Sequence, residues 1–451
     1  MSNYNFKVKY SDAHWLTKAG YGRVAHLPFI LDARPGYHRS GSQYILDRGL
    51  GLWVAGKPGL SVRPPTAKSI RSYAAWLCNF LEWAQKRGIN LLTADYVDHI
   101  YGRYQKELLA GVWGRESRGL SEATVNLYVD TAVDFLTWMA AKGERPPFEV
   151  PLVTRTIATG SATSSVSHRG KSADIRQGRV RQPPRTLQMP ADTDLDRWLA
   201  SVYDQSGQIF GLMCNTVIET AVRREEVCSW RVDTLPLNPK DWVIVNPTAE
   251  VSEQLVSVTL RYGTKGREFG FDNGDKIGPR RQIKIPLRLA NRLHIYRQNV
   301  RPLLLARSIL QVRGAEAQKK RRDGVVHLFL TSEGHRETAP RFYKAWKSGD
   351  LPFPAWSPHL GRHWWACSTL MQEIRASEIF YEANRPLPGL LIASLLTDVI
   401  QLKITPQLGH VSSKTSSIYL QWVADQIGVA LPERYQAEML DEDFNKKGSQ
   451  A

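Results

Sequence analysis

Residues 408–419 read LGHVSSKTSSIY, and this stretch decides how the rest of the chain is interpreted. Within it, LGH at 408–410 is followed by Tyr419, which lies nine residues after the histidine. Two other packets that are rich in basic residues come earlier in the chain, TAVRREEV at 220–227 and HLGRH at 359–363. One short pattern arises easily by chance, whereas three of them in this order and with this spacing do not.

The residue types in these packets suit the cleavage of a phosphodiester without a metal ion. The transition state of that reaction gains negative charge on the nonbridging oxygens, and arginine binds such oxygens through two parallel hydrogen bonds while staying charged. The reaction also needs a nucleophile that attacks in line and an acid that protonates the departing oxygen. Two arginines, one or two histidines, a lysine and a hydroxyl group form the minimum set, and the chain offers all of them.

In their order and spacing, the packets resemble the boxes of the tyrosine recombinases, also called the phage-integrase family. The boxes of that family are T-G-x-R-x-x-E, H-x-L-R-H, and L-G-H with a tyrosine nine residues beyond its histidine. Between the first two boxes the family places a catalytic lysine on a β-hairpin. The stretch RYGTKGR at 261–267 is similar to that hairpin, because strand-like runs flank it. The resemblance extends over roughly residues 64–430.

The resemblance implies roles for the three residues closest to the reaction. Tyr419 would be the nucleophile that becomes joined to a 3′ phosphate of DNA. Arg223 and Arg362 would clamp the nonbridging oxygens of the scissile phosphate. An ordinary phenol has a pKa of about 10, so Tyr419 would need neighbouring cations and a proton acceptor in order to attack at neutral pH.

The resemblance also implies which groups handle protons and support the phosphate. Lys265 would protonate the departing 5′ oxygen, and Lys276 and Lys284 are its nearby rivals. His359 would hydrogen-bond the phosphate and help to take the proton of the tyrosine. His410 would support the phosphate from the other side.

Two further residues of the boxes are expected to support the site without touching DNA. Glu226 would hold the first box together by hydrogen bonds. His363 would buttress the fold, because that position is structural in the family. No cofactor and no metal ion is expected, since the bond to tyrosine conserves the energy of the phosphodiester and rejoining then needs neither ATP nor metal.

The sequence departs from the family pattern at several places. Ala221 stands where glycine is usual, and Gly361 stands where leucine is usual, so local packing is expected to differ there. A second arginine, Arg224, directly follows the arginine that aligns with the family. The chain is also longer between the boxes than compact members of the family, which predicts insertions at about 305–325 and 375–400.

The composition of the chain favours a globular protein that binds a polyanion. Its 451 residues suggest two or three domains, and 42% of them are hydrophobic, which is enough to build real cores. Sixty lysines and arginines against 43 acidic residues give a net charge of +17 and a pI near 9.7. This surplus predicts nucleic acid as the partner, with an anionic membrane surface as the competitor. No window reaches roughly 18 continuous apolar residues, so no membrane span is expected.

The four cysteines argue for a reducing compartment. No two of them form a CxxC pair, which speaks against a zinc site and against a disulfide framework. The N-terminus also lacks a basic-then-apolar signal pattern. We therefore expect a cytoplasmic protein associated with DNA, in which each cysteine is a small buried hydrophobe. The cysteines are Cys78, Cys214, Cys228 and Cys367.

Changes in composition along the chain predict five segments. Residues 1–63 form an N-terminal extension, and residues 64–150 form a helical DNA-binding domain that resembles the core-binding domain of the family. Residues 151–190 are rich in Ser, Thr, Gly and Arg and predict a basic flexible linker. Residues 191–432 form the catalytic domain, and residues 433–451 form a polar C-terminal tail.

Helical periodicity is clearest in the predicted DNA-binding domain. Apolar residues recur at helical spacing from Ile70 until Gly88 ends the helix. Thr93 can cap a second helix, and Ser121 can cap a third that ends at Gly143. This segment therefore predicts three helices.

The predicted catalytic domain combines helices with a few short strands. Alternation of apolar and polar residues predicts strands at 242–245, 255–262 and 282–285. A helix is expected from 287 to about 305, and the basic run at 319–322 is expected to be an exposed loop. The expected fold class is mainly α with a small antiparallel β-sheet.

The resemblance implies a working assembly, and it leaves other functions open. Double-stranded DNA would be the substrate, a homotetramer would join two DNA sites, and the reaction would integrate or excise a mobile element. A type IB topoisomerase would use similar chemistry as a monomer to relax supercoils. A non-catalytic DNA-binding relative would bind without cleaving, although the complete set of reactive residues argues against it. An RNA-binding or membrane-binding basic protein has no motif that supports it.

Overall fold

The fold is mainly α with small two-stranded antiparallel sheets, which confirms the predicted fold class. The described residues divide into two compact units, one ending at residue 182 and one beginning at residue 186. The computed structural model describes residues 6–32, 36–54, 64–114, 118–157, 171–182, 186–269, 275–376, 396–409 and 414–427.

The first unit consists of helices with two small two-stranded sheets. Strand β1 pairs with β2 and β3 pairs with β4, both in antiparallel register. A π-helical segment, Tyr96–Gln105, runs directly into α4. The elements are β1 (Lys7–Tyr10), α1 (Ala13–Lys18), β2 (Pro28–Leu31), α2 (Arg39–Leu50), α3 (Ala67–Lys86), α4 (Lys106–Ala110), α5 (Glu122–Ala141), β3 (Leu152–Ile157) and β4 (Lys171–Arg176).

The three predicted helices of this unit are present, and one of the two predicted caps is correct. Thr66 caps α3 by accepting a hydrogen bond from the backbone N–H of Ser69, and Ser121 is the N-cap of α5. The prediction that Thr93 caps the second helix is wrong. Asp95 caps it instead, because its carboxylate accepts from the backbone N–H of Asp98 at 2.8 Å, and a carboxylate suits the positive end of a helix better than a hydroxyl group does.

Residues before position 64 share the hydrophobic core of this unit. Tyr44 on α2 donates its hydroxyl to Asp134 on α5 at 2.6 Å, and the indole N–H of Trp53 donates to the same carboxylate at 2.9 Å. Asp47 on α2 in turn accepts from the indole N–H of Trp138 at 3.0 Å. Because these groups are buried, each hydrogen bond satisfies a polar atom that would otherwise be costly inside the core.

The stretch that composition predicts to be a flexible linker contains ordered structure in its described part. Strands β3 and β4 pair there, and Arg176 at the end of β4 is buried. Its guanidinium donates to Asp130 at 2.7 Å and to Gln105 and Asn126 at 2.8 Å. A cationic composition does not reveal such partners, because they lie on distant helices. The rest of this stretch at 158–170 and 183–185 lies outside the described residues, as does the predicted tail.

The second unit is a helical body with one long hairpin. Helix α6 consists of two helical segments that meet at Gly207, whose φ is 83°. Two π-helical segments, Tyr296–Val300 and Ile400–Ile404, run into α9 and α13. The elements are α6 (Asp192–Thr220), α7 (Arg224–Cys228), β5 (Leu255–Phe269), β6 (Asp275–Pro286), α8 (Leu287–Ile295), α9 (Arg301–Leu310), α10 (Ala315–Gly324), α11 (Ala339–Ser348), α12 (Pro358–Ala376), α13 (Thr405–Leu408) and α14 (Lys414–Ile427).

Two of the three predicted strands of this unit are confirmed. The runs 255–262 and 282–285 lie in β5 and β6, which pair in antiparallel register. The run 242–245 contributes a single bridge, from Ile244 to Val256. The basic run 319–322 was expected to be a loop, and this is wrong because it lies in α10.

Helix α10 contains no buried residue, so the predicted exposure of the basic run is correct. Its Ala, Gln, Lys and Arg residues all favour helix, and this local preference outweighs the repulsion within the run. The insertion expected at 305–325 covers the end of α9 and all of α10. The one expected at 375–400 falls mostly outside the described residues.

The core of the second unit explains the unusual glycine of the second packet. Trp346 and Trp198 pack with their ring centroids 4.4 Å apart, and both are fully buried. An ideal Cβ at Gly361 would lie 2.8 Å from the indole of Trp346 and 3.0 Å from Ile218. The volume that a leucine would fill at this position is therefore already taken by the tryptophan.

Candidate active site

The first packet forms the turn between α6 and α7. Helix α6 ends at Thr220, and Ala221 follows in the left-handed conformation with φ 54° and ψ 28°. Ala221 is fully buried, and among the described residues it is the one non-glycine residue with a positive φ. Glycine adopts this region without steric cost, which explains why glycine is usual here. The turn directs the carbonyl group of Ala221 toward Arg362, whose Nη1 donates a hydrogen bond to it.

Substitutions at Ala221 should separate backbone strain from packing. Ala221→Gly should change the free energy of unfolding by no more than about 1 kcal/mol, because relief of the left-handed strain offsets the loss of the methyl group. Ala221→Val should lower it by about 2 kcal/mol or more, since a β-branched residue resists a positive φ and the site is fully buried. Urea unfolding of the intact chain measures both changes, and equal stability of the two variants would contradict this interpretation.

Two of the predicted arginines meet at one carbonyl group. Arg223 precedes α7, and its Nη2 donates to the carbonyl oxygens of Leu408 and Gly409, both at 3.0 Å. Arg362 on α12 donates through its own Nη2 to the same Leu408 oxygen, also at 3.0 Å. Side chains of the first and second packets therefore contact the backbone of the third, although Arg223 and Gly409 are 186 positions apart.

The arginines differ in their access to solvent. The side chain of Arg223 is 22% exposed, whereas that of Arg362 is 4% exposed. Burial lowers the pKa of Arg362 to about 9, against the opposing charge of Glu226, so this guanidinium stays charged near neutral pH. Arg224 points elsewhere, and its guanidinium lies 5.6 Å from the ring centre of Tyr343. Of the two adjacent arginines in the first packet, Arg223 is therefore the one that faces the other two packets.

Glu226 lies among the arginines, and its carboxylate is fully buried. It accepts from Arg223 Nη1 at 2.8 Å and from Arg281 Nη2 at 2.5 Å, and Arg362 Nη1 lies 4.0 Å away. Burial raises the pKa of the Glu226 carboxyl, but the charges of Arg281, Arg362 and Arg223 outweigh burial and hold the pKa below its ordinary value. One carboxylate faces three guanidinium groups, so the cluster keeps a net positive charge that suits a phosphate.

Arg281 belongs to this cluster, although the prediction from sequence does not include it. It lies on β6, and its guanidinium also donates to the backbone carbonyl of Gln407. A signal was present in the sequence. Arg281 lies two residues before Ile283 and four before Ile285, and both isoleucines are buried. Residues two apart on a strand share one face of the sheet. An arginine on the buried face of a hairpin is expected to have a buried partner.

Gln407 ties the third packet to the hairpin and to α6. Its side chain donates to the backbone carbonyls of Thr220 and Lys284, both at 2.9 Å, and accepts from the N–H of Lys284 at 2.9 Å. Gly409 then ends α13 with a φ of 60°, and an ideal Cβ there would lie 2.8 Å from Cδ of Arg281. Glycine at this position therefore meets both a backbone and a packing requirement.

The candidate nucleophile contacts a histidine of the second packet. Tyr419 lies on α14 with no exposed surface, and its hydroxyl oxygen is 2.9 Å from Nδ1 of His363. Nε2 of His363 is in turn 3.1 Å from Nε2 of His359, one helical turn earlier on α12. Burial raises the pKa of Tyr419 above its ordinary range, and the charge of Arg362 opposes this shift. The prediction gave the contact with the phenol to His359, whereas the described contact is made by His363.

The predicted acid and one predicted histidine are described only in part. The backbone of Lys265 lies in β5, but its side chain is outside the described part of the structure, and so is that of Lys276. The strand passes close to the first packet, because an ideal Cβ at Gly263 would lie 2.6 Å from Cα of Glu226. His410 lies outside the described residues.

Comparisons with known proteins give low-identity likenesses to solved recombinase structures. The chain matches no family model and no curated protein. It is similar to the XerH site-specific recombinase bound to its difH substrate, at 14% identity over 80% of each chain with a TM-score of 0.42. It is also similar to the Tn1549 transposon integrase in complex with transposon right end DNA, at 11% identity over 86% of this chain and 98% of that one, with a TM-score of 0.45.

A lambda integrase dimer bound to a core site gives a third likeness, at 13% identity over 84% of this chain and 94% of that one, with a TM-score of 0.36. All three TM-scores are below 0.5.

No described helix is both long enough and apolar enough to cross a membrane. Within the same described ranges, no three His, Cys, Asp or Glu residues are grouped in a way that could hold a metal ion.

Proposed function

We propose that the chain is a site-specific DNA recombinase, which cleaves a DNA strand with Tyr419, holds the broken end as a 3′-phosphotyrosine and then rejoins it. The observation that carries this proposal is the meeting of the three packets in one place. Arg223 and Arg362 donate to the same carbonyl group of Leu408, and Tyr419 contacts His363 of the second packet.

The arginine cluster would bind the scissile phosphate. Arg223 Nη2 now donates to carbonyl oxygens, and a nonbridging phosphate oxygen accepts more strongly because it carries charge. Arg362 would meet the same phosphate from α12, and Glu226 would keep both guanidinium groups in position. The net charge of +17 would add phosphate contacts elsewhere along the DNA, so binding should weaken steeply with salt.

The reaction would proceed by transfer of the phosphoryl group between two oxygens. The phenol oxygen of Tyr419 would attack phosphorus in line, the bond to the 5′ oxygen would break, and the bond to the 3′ oxygen would stay. Lys265 would protonate the departing 5′ oxygen, and His410 would support the phosphate. Because the new ester has about the same energy as the old one, a 5′ hydroxyl can reverse the reaction without ATP.

The burial of the nucleophile adds a conformational step to this reaction. Tyr419 has no exposed surface, and a phosphate cannot reach a phenol that is enclosed by protein. DNA binding would therefore have to open the surroundings of the phenol before cleavage. Such gating protects a reactive group until its substrate is in place.

The biological setting is proposed from the same packets. Their resemblance to the boxes of tyrosine recombinases supports an assembly of four copies on two DNA sites. It also supports a role in integrating or excising a mobile element. The first unit would then grip DNA together with the second.

A covalent-capture assay tests the proposal. The DNA that flanks the gene would be divided into overlapping duplexes. Each duplex would carry a nick close to the position tested for cleavage, so that the short cleaved fragment diffuses away. Incubation in EDTA and without ATP should accumulate a protein–DNA adduct that survives SDS and is joined to the 3′ phosphate. Specific binding to one of these duplexes without any adduct would contradict the proposal and favour a non-catalytic DNA-binding relative.

A second assay separates recombination from supercoil relaxation. A plasmid that carries two copies of the captured site should yield recombinant circles whose formation requires both sites. Relaxation of a site-free supercoiled plasmid at the same rate, with no recombinants, would instead favour a topoisomerase.

A further inference from the structure

We propose that His363 is the general base of the cleavage step and that it passes the proton of Tyr419 on to His359. The inference rests on the proposed function, and it gives His363 a catalytic role where the resemblance gives a supporting one. Tyr419 Oη lies 2.9 Å from His363 Nδ1, and His363 Nε2 lies 3.1 Å from His359 Nε2.

The first distance satisfies the requirement for direct proton transfer. A general base must lie within hydrogen-bond reach of the proton that it takes, and a separation of 2.9 Å is within that reach. The phenol has no exposed surface, so bulk water does not have the same access to it. Tyr419 and His363 lie where α14 packs against α12, and the opening that admits a phosphate would have to keep these two side chains within hydrogen-bond distance.

The direction of the first hydrogen bond determines which nitrogen atoms carry protons. If the phenol donates to Nδ1 of His363, that ring carries its own proton on Nε2. The N–H at Nε2 can then donate to Nε2 of His359, whose remaining proton is on Nδ1. Two hydrogen bonds in series thus run from the phenol through one ring to the next.

The proton and electron balance of the step follows from this arrangement. As the phenol oxygen forms its bond to phosphorus, its O–H bond breaks and the proton joins Nδ1 of His363. The N–H bond at Nε2 of His363 breaks, and that proton joins Nε2 of His359. The products are a phosphotyrosine, a neutral His363 with its proton on the other nitrogen, and a His359 imidazolium, while the 5′ oxygen leaves with its electron pair.

Burial and charge explain why a second histidine is useful. His363 is buried next to Arg362 in the chain, and a lasting positive charge there would be costly. His359 is exposed, so an imidazolium at that position is stabilised by water. Among the described residues, Arg362 and Cys367 on α12 are ionisable groups that interact with Tyr419, and Arg362 in turn interacts with Glu226, Arg223 and Arg281.

The decisive variant is His363→Asn, tested in the adduct assay across a range of pH. It should bind DNA normally and form adduct about 10²–10⁴-fold more slowly, which is the usual contribution of a general base. Its rate should rise about tenfold per pH unit, because the phenol must then ionise unaided, while the wild-type rate levels off above the pKa of the histidine pair. His359→Asn should show a smaller loss.

A sulfur leaving group distinguishes the base from the acid. DNA in which the bridging 5′ oxygen is replaced by sulfur needs no protonation of its leaving group. With this substrate, the rate of adduct formation should recover in Lys265→Ala but remain low in His363→Asn. His335→Asn is the matched control, since it makes the same change at an exposed histidine, and it should keep the wild-type rate and pH profile.

Difluorotyrosine at position 419 distinguishes the loss of a general base from a folding defect. Its more acidic phenol should recover much of the rate lost in His363→Asn, and a misfolded site would not respond in this way. If the variant does not fold, the fluorinated chain with His363 intact decides the question. The inference predicts that the fluorinated chain, like the wild type, has a rate that rises with pH and levels off above the pKa of the histidine pair.

Two results would overturn the inference while leaving the proposed function intact. The first is a wild-type rate and pH profile in His363→Asn. The second is a rate in the fluorinated chain that rises in proportion to its phenolate fraction. Absence of any adduct with the wild-type chain would instead overturn the proposed function and this inference together.

Discussion

Tyr419→Phe should bind the target DNA with unchanged affinity and form no covalent adduct at all. The substitution removes only the hydroxyl oxygen, which is the atom that would attack phosphorus, and leaves the ring to fill its buried place against α12. Loss of the hydrogen bond to His363 costs about 1 kcal/mol of stability, which is too little to unfold the site. Gel-shift and SDS-resistant adduct assays on the same nicked duplex measure the two properties side by side.

Tyr343→Phe is the matched control for this prediction. It removes the same atom from a partly exposed tyrosine on α11, and it should leave both binding and adduct formation unchanged. Normal amounts of adduct from Tyr419→Phe would refute the assignment of the nucleophile. Loss of DNA binding in that variant would show that the tyrosine supports the fold of the binding surface instead.

The second large effect is expected at the buried carboxylate of the arginine cluster. Glu226→Gln should lower the free energy of unfolding by about 3–5 kcal/mol, because it leaves buried guanidinium groups without their counter-charge. Arg281 and Arg223 bond directly to this carboxylate. Urea unfolding of the intact chain, followed by fluorescence, measures the loss. Adduct formation should fall as well, since Arg223 and Arg362, which would bind the phosphate, lose their positioning.

A double-mutant cycle identifies the cause of that loss. Arg281→Met removes one of the unpaired charges, so the double variant Glu226→Gln with Arg281→Met should be more stable than the sum of the two single losses predicts. Glu225→Gln is the matched control, because its ion pair with Arg224 lies at the surface with side chains 44% and 36% exposed, and it should cost at most about 1 kcal/mol. Strictly additive losses in the cycle would contradict a shared buried cluster.

Local pattern explains why much of the site could be predicted from the sequence. His359 and His363 are four residues apart, and that spacing places them on one face of α12. The spacing of Arg223 and Glu226 corresponds to the first turn of α7, where the carboxylate accepts from the backbone N–H of Arg223 at 2.6 Å. In both cases the interacting residues are three or four positions apart, so a short motif is enough to predict that their side chains lie close together.

Tertiary packing explains what could not be predicted. The role of Arg281 depends on β6 lying against α13 and on its side chain reaching Glu226 in α7, and no local pattern states which elements come together. The same holds for Gly361, where Trp346 fills the volume of the expected leucine. The partners of Arg176 also lie on helices far away in the sequence. Composition described that segment correctly as basic but could not reveal its partners.

The contact between the phenol and His363, where the sequence favoured His359, is the most informative difference. Sequence spacing identifies both His359 and His363, but it cannot say which ring faces the phenol. That choice depends on where α14 lies relative to α12, and the 2.9 Å contact selects His363. The inference about the general base therefore comes from the fold and not from the motif.

Mapping of the covalent adduct to a residue tests the central claim most directly. The adduct formed on a nicked duplex would be digested with nuclease and protease, and the modified peptide would be sequenced by mass spectrometry. The account predicts that the nucleotide is attached to Tyr419, one of 17 tyrosines in the chain. Attachment to any other tyrosine, or to a serine, would contradict it.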